Sequence, residues 1–158
     1  MAAVGAPVTH SHSNNTISKQ IDTLQKTDVS VDSEGIATVK NSKGTTRFQI
    51  NLPLDSSAPH VNVSESLEDG LLWEPTVVNE KQAVQLNAGH PFYERVYNPN
   101  KENGTAIQGL DFLFWGLCEA EWAVMSQSEA EHMKAVRREV SRVVRQLALE
   151  LPDQVVDV

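Results

Sequence analysis

Residues 89–153 read GHPFYERVYNPNKENGTAIQGLDFLFWGLCEAEWAVMSQSEAEHMKAVRREVSRVVRQLALELPD, and this stretch decides the fold. His90-Pro91 ends a strand-like run, and Phe92 to Tyr97 follows as a short helix with Pro91 at its first position. A polar loop over 98–104 leads to a long helix opening at Thr105, a candidate N-cap, and running to Met125. Ile107, Leu110, Leu113, Phe114, Leu117 and Cys118 make its core stripe, while Phe112, Trp115, Trp122 and Val124 add apolar surface elsewhere. A helix apolar on several sides has to be sandwiched between layers or covered by another chain. Ser126-Gln127-Ser128 is a tight link, and Ser128-x-x-Glu131 has the form of a capping box. The second helix keeps Met133, Val136, Val140, Val143, Val144 and Leu147 on one face until Pro152 stops it. An antiparallel helical hairpin over 105–151 is the expectation.

Upstream the apolar period is two. Residues 36–40 and 46–50 are β-rich runs around the turn Asn41-Ser42-Lys43-Gly44, with Phe48 and Ile50 on one face. Residues 76–78 and 83–87 form a second hairpin around Asn79-Glu80-Lys81. Pro75 lacks a backbone donor and places the first of these strands at a sheet edge or bulge. Pro53 and the 55–59 cluster read as loop, and 67–70 as a turn. Strands followed by helices indicate an α+β fold: two antiparallel β-hairpins forming one small sheet, packed against the C-terminal two-helix hairpin. Residues 1–28 are expected to be a disordered or partner-dependent tail, with room for one short helical turn within 18–26 carrying Ile21 and Leu24. A single domain over 29–153 follows, with 154–158 as a second tail.

Composition limits function. Thirteen basic against 21 acidic residues give a net charge of −8, which disfavours nucleic acid or an anionic membrane as partner of the whole molecule. One cysteine, Cys118, excludes an internal disulfide and suits a reducing cytoplasm. The longest apolar run is too short to span a bilayer, and residues 1–8 lack the features of a secretory signal. A soluble cytoplasmic protein is expected.

Candidate sites are few. Lys134, Arg138, Arg142 and Arg145 fall within one quadrant of the second helix at roughly 100° per residue. Such a stripe grips phosphates or an acidic partner, or it forms ordinary pairs with Glu121, Glu131 and Glu139. His90, Phe92 and Tyr93 read as structural anchors, with His90 capping the short helix rather than acting as a base. His10-x-His12 has no third ligand nearby, so it suits only adventitious metal binding. Cys118 reads as a small buried side chain. Trp115, Trp122 and Phe112 are the candidate interface. No catalytic, cofactor-binding or metal-binding set is assigned.

Leu72-Trp73-Glu74-Pro75, then Val84-x-Leu86-Asn87-x-x-His90-Pro91-Phe92-Tyr93-x-x-Val96-Tyr97, resembles the C-terminal region of bacterial and phage ATP-binding proteins. These belong to the gyrase, heat-shock chaperone, histidine kinase and mismatch-repair (GHKL) ATPase superfamily. Residues 108–115, 138–142 and 151–153 continue the similarity, which extends from 71 to 153. In that superfamily the nucleotide site lies in an N-terminal half, with a magnesium-binding Asn, an adenine-binding Asp and glycine-rich lids. Nothing in 1–54 resembles those boxes, so no site residue carries over. The resemblance implies a detached C-terminal portion: a non-catalytic assembly or coupling module, associating with itself or with an ATPase half. ATP and magnesium would then enter only through that partner half. The alternative is an accessory nucleic-acid-binding protein using the basic stripe.

Overall fold

A computed structural model describes residues 7–52, 58–124 and 126–152, except for the side chains of Phe48 and Gln127. The fold is α+β, but its strands divide into two three-stranded sheets rather than one. The first sheet is the meander β1 (Asp28–Val31), β2 (Ile36–Asn41) and β3 (Gly44–Gln49), antiparallel throughout. Its connections are cut by local polar chemistry. Asp32 Oδ1 accepts from the Glu34 and Ile36 amides, Asn41 Oδ1 accepts from the Lys43 amide, and Gly35 takes φ +80° where a Cβ would be strained.

The second sheet contains β4 (Val61–Ser64), β5 (Trp73–Val78) and β6 (Lys81–Asn87), in the order β4-β6-β5. Asn79 and Glu80, both at positive φ, make the two-residue turn of the β5–β6 hairpin, a geometry that matches strand twist. Pro75 does lie on an edge strand. β4 is the departure: it pairs in parallel with β6, Val61 opposite Val84, where hairpins alone were expected. Its four residues are too few for an alternation signal to stand out, and the pairing depends on a distant helix.

That helix is α1 (Ser11–Leu24), which replaces the expected tail over the described part of 1–28; residues 1–6 lie outside the described set. Only Ile17 on it is a fully buried large apolar residue, so its composition looks like that of a solvated segment. What fixes it is polar. Asn14 Oδ1 accepts the His60 and Val61 amides, and its Nδ2 donates to the Val61 carbonyl, so the Asn14 side chain acts as a short extra strand beside β4.

α2 (Gly104–Val124) spans both sheets. Ile107, Phe114, Trp115 and Cys118 pack with Ile17, Val61, Val84 and Leu86 in one core; Trp122 packs with Val29, Ala37, Val39 and Val77 in the other. Its cap is Asn103, whose Oδ1 accepts the Ala106 amide and whose carbonyl accepts the Ile107 amide, two residues earlier than Thr105 would set it. α3 (Ala130–Ala148) follows a short 3₁₀ turn, and the polar pair before it is Ser126 with Glu129, not Ser128 with Glu131. α3 lies against β5 and the Glu68–Gly70 turn. A buried ion pair, Arg137 Nε to Glu121 Oε1 at 3.1 Å, ties it to α2.

Among the described residues no helix is long and apolar enough to cross a membrane.

Candidate functional site

The motif residues around His90 form a structural latch. His90 is fully buried; its Nδ1 accepts the Phe92 amide at 3.0 Å and its Nε2 donates to the Ser141 carbonyl at 2.9 Å. One nitrogen accepts and the other donates, which fixes the neutral tautomer. Burial holds its pKa below the ordinary histidine value, and Arg145 adds to this against the raising effect of the Ser141 bond. Ser141 Oγ in turn accepts the Leu72 amide, and Asn87 Nδ2 donates to the Leu71 carbonyl. Gly89 completes the latch, since a Cβ there would lie 2.7 Å from the Glu65 carbonyl oxygen. His90 therefore anchors α3 as well as capping the short helical turn, a longer reach than the sequence indicates. Tyr93 is buried, and Phe92 packs edge-on against Phe114 and Tyr97.

A second polar cluster escapes sequence reading because its members lie about a hundred positions apart. Asp111, wholly buried on α2, accepts from His10 Nδ1 at 2.7 Å, from Ser13 Oγ at 2.6 Å and from Tyr97 OH at 3.0 Å. His10 Nε2 meets Tyr93 OH at 2.9 Å. Both ring nitrogens are engaged, and burial with the Asp111 charge pushes both tyrosine hydroxyls well above their ordinary range. A histidine–aspartate pair so enclosed has no nitrogen facing a substrate, and it serves to lock α1 onto α2. His12 is exposed on α1 while His10 is buried, so the two do not converge; among the described residues no cluster could hold a metal.

Cys118 is fully buried, and burial pushes its thiol far up, as suits a packing residue. A cavity of about 160 Å³ lies between the sheets and α3, lined by Glu74, Glu68, Lys134 and Arg137 among others. Ligand pockets usually begin near ~300 Å³, so nothing of nucleotide size fits it. Glu74 is buried there with its pKa raised by desolvation, against the opposing pulls of Asn51, Arg137 and Lys134.

The basic stripe faces an acidic turn of the same chain. Lys134 reaches Glu68 at 3.7 Å, Arg138 reaches Asp69 at 3.2 Å, and Arg142 holds Glu139 through two bonds. The Arg145 guanidinium packs over Gly70, 3.3 Å from where a Cβ would stand. Arg142 with Glu139 was among the anticipated pairs; Glu68 and Asp69 were not, because they come from the turn ahead of β5.

The anticipated interface is displaced. Trp115 and Trp122 are 4% and 0% exposed, so they belong to the two cores and cannot contact a partner. Phe112 remains on the surface. In their place stand residues expected to be core. Leu113 is 57% exposed and Leu117 44%, with Val124 on the same side of α2. On α3, Val136, Val140, Val143 and Leu147 are exposed, Leu147 at 65%, while Ser141 and Ala148 face inward. α3 thus buries Ser141 and Ala148 and packs Met133 and Val144 against the cores as expected, while Val136, Val140, Val143 and Leu147 stay on the surface.

Glu121, which pairs with Arg137, lies on the Leu117 side of α2 at 100° per residue; Arg137 and Val144 lie on the Val140 side of α3. Leu117 and Val140 thus stand on the flanks of their helices that carry this ion pair. The outer face of α2 reads Gly109, Phe112, Leu113, Gly116, Leu117, Ala120 and Val124, all exposed and none charged. The acids of α2, Asp111, Glu119 and Glu121, are all turned at least partly inward. Comparison with protein-family models, with curated proteins and with solved structures gives no match.

Proposed function

We propose that the chain is a non-catalytic assembly or coupling module that acts through protein–protein association, as the C-terminal part of a GHKL-type ATPase would. The observation that carries this reading is the exposure of large apolar side chains on both long helices, Leu113 and Leu117 on α2 and Val140 and Leu147 on α3. Burial of such side chains contributes about 1.5–3 kcal/mol each, so their exposure is a standing driving force for association. The Asp111 and His90 clusters support the reading from the other side. They hold α1, α2 and α3 rigidly in place, and a preorganised surface loses little entropy on docking. ATP and magnesium belong, in this proposal, to a nucleotide-binding partner half.

The alternative, nucleic-acid binding by Lys134, Arg138, Arg142 and Arg145, has weaker support. Three of these side chains pair with Glu68, Asp69 and Glu139, and each pairing would have to be given up to a phosphate. Size-exclusion chromatography with light scattering, with and without a GHKL-type nucleotide-binding half, tests the association reading. A Leu117→Glu/Val140→Glu variant should keep its fold and lose association. A wild-type chain that stays monomeric and binds no such half contradicts the proposal.

A further inference from the structure

The outer face of α2 is patterned to receive a copy of itself. We infer that its occupant is a second copy of this chain, with the two α2 helices antiparallel about a two-fold axis between Gly116 and Leu117; this rests on the association reading above. In that register Gly109 faces Val124 of the other copy, Leu113 faces Ala120, and Gly116 faces Leu117. Each of these three pairs couples a large side chain with a small one, and Phe112 lies at the edge of the contact. Beside Gly109 and Gly116, a Cβ would meet nothing within 4 Å, so the space that Val124 and Leu117 of the other copy would enter is open. Alternation of large and small across facing positions lets two helices interdigitate without voids. A two-fold contact also requires one patch to be complementary to itself, which this sequence is.

Charge points the same way. A copy of a chain with net charge −8 is a poor partner wherever like charges must meet, but this face brings none together. A partner selected by opposite charge would find no charged residue here to recognise it. The area fits a weak dimer. A helix of 21 residues is about 32 Å long. At ~10 Å wide, the α2 face offers about 300 Å² per copy. A standard interface buries ~800 Å² per partner, so a modest, reversible dimer is expected.

The test uses the full chain. Light scattering should show a dimer that tightens as salt is raised, because screening relieves the repulsion between two acidic bodies while the contact itself holds no ion pair. Differently tagged chains carrying Leu113→Cys and Ala120→Cys should form a mixed disulfide on mild oxidation. Leu113→Cys chains alone should cross-link poorly, since in this register their cysteines are offset by about 10 Å. Leu117→Glu sets like charges beside the axis and should weaken the dimer by about tenfold or more. A dimer that ignores Leu117→Glu, weakens with salt, or cross-links 113 to 113 would overturn the inference. A monomer that still binds a GHKL-type half through this face overturns the second copy and leaves the association reading intact; a monomer that binds neither removes both.

Discussion

Replacing Asp111 should unfasten the N-terminal helix from the rest of the protein. Asp111 is wholly buried and accepts three bonds, from His10, Ser13 and Tyr97. Asp111→Ala leaves three donors without an acceptor in a dry site, each costing about 1–3 kcal/mol in isolation. His10 keeps Tyr93, and the cavity admits some relaxation, so the sum is not reached. Removing the acceptor of a buried, fully bonded carboxylate network costs on the order of 3–5 kcal/mol, and that is the expected loss. Against a domain stability of about 5–15 kcal/mol, this leaves a folded but fragile protein. Asp111→Asn keeps one acceptor oxygen and should fall between, at about 2 kcal/mol. Urea denaturation followed by the fluorescence of the buried Trp73, Trp115 and Trp122 reads the change, and amide exchange should accelerate across α1 before the sheets open. A loss below about 1 kcal/mol for Asp111→Ala, with α1 as protected as in the wild type, would refute the reasoning.

Three further outcomes are expected. His90→Ala removes a fully buried ring that bonds both Phe92 and Ser141, so it should cost about 2–4 kcal/mol in denaturation, above the ~1 kcal/mol of a simple cap; a loss near the cap value would show that α3 does not depend on it. Glu74→Gln should stabilise the protein at neutral pH. The folded state raises the Glu74 pKa, so its contribution is fully present below the ordinary 4.5 and is lost as pH rises through the folded value. The variant should therefore match the wild type in acid and gain over it as pH increases, and a difference independent of pH would contradict this. Arg138→Glu with Arg142→Glu should leave any DNA mobility shift unchanged, since those cations already serve Asp69 and Glu139; loss of a salt-sensitive shift would favour the basic-stripe alternative.

Local patterns made the hairpins, the edge position of Pro75 and both long helices legible in the sequence. Their signals are periodic or lie in adjacent turn residues such as Asn41 and Asn79. The rest required distant partners. Nothing near His10 or Asn14 announces Asp111 or Val61, so α1 reads as a polar tail until those bonds are known. The helix faces misled for a different reason. An apolar stripe normally faces the core, yet α3 buries Ser141 and Ala148, and the Ser141 hydroxyl accepts the Leu72 amide, a bond that a valine could not make. The valines were recognised correctly as a face, but most of that face stays on the surface. The tryptophans show the converse, since α2 crosses two sheets and needs bulk on two flanks, so Trp115 and Trp122 fill cores instead of marking an interface.

Hydroxyl-radical footprinting of the α2 and α3 outer faces, run from dilute to concentrated protein and with a GHKL-type nucleotide-binding half added, tests the central claim most directly. The account predicts that Leu113, Leu117, Val140 and Leu147 lose reactivity together as the assembly forms, while exposed residues such as Leu52 and Val63 do not change. Full reactivity of those four side chains under every condition would contradict it.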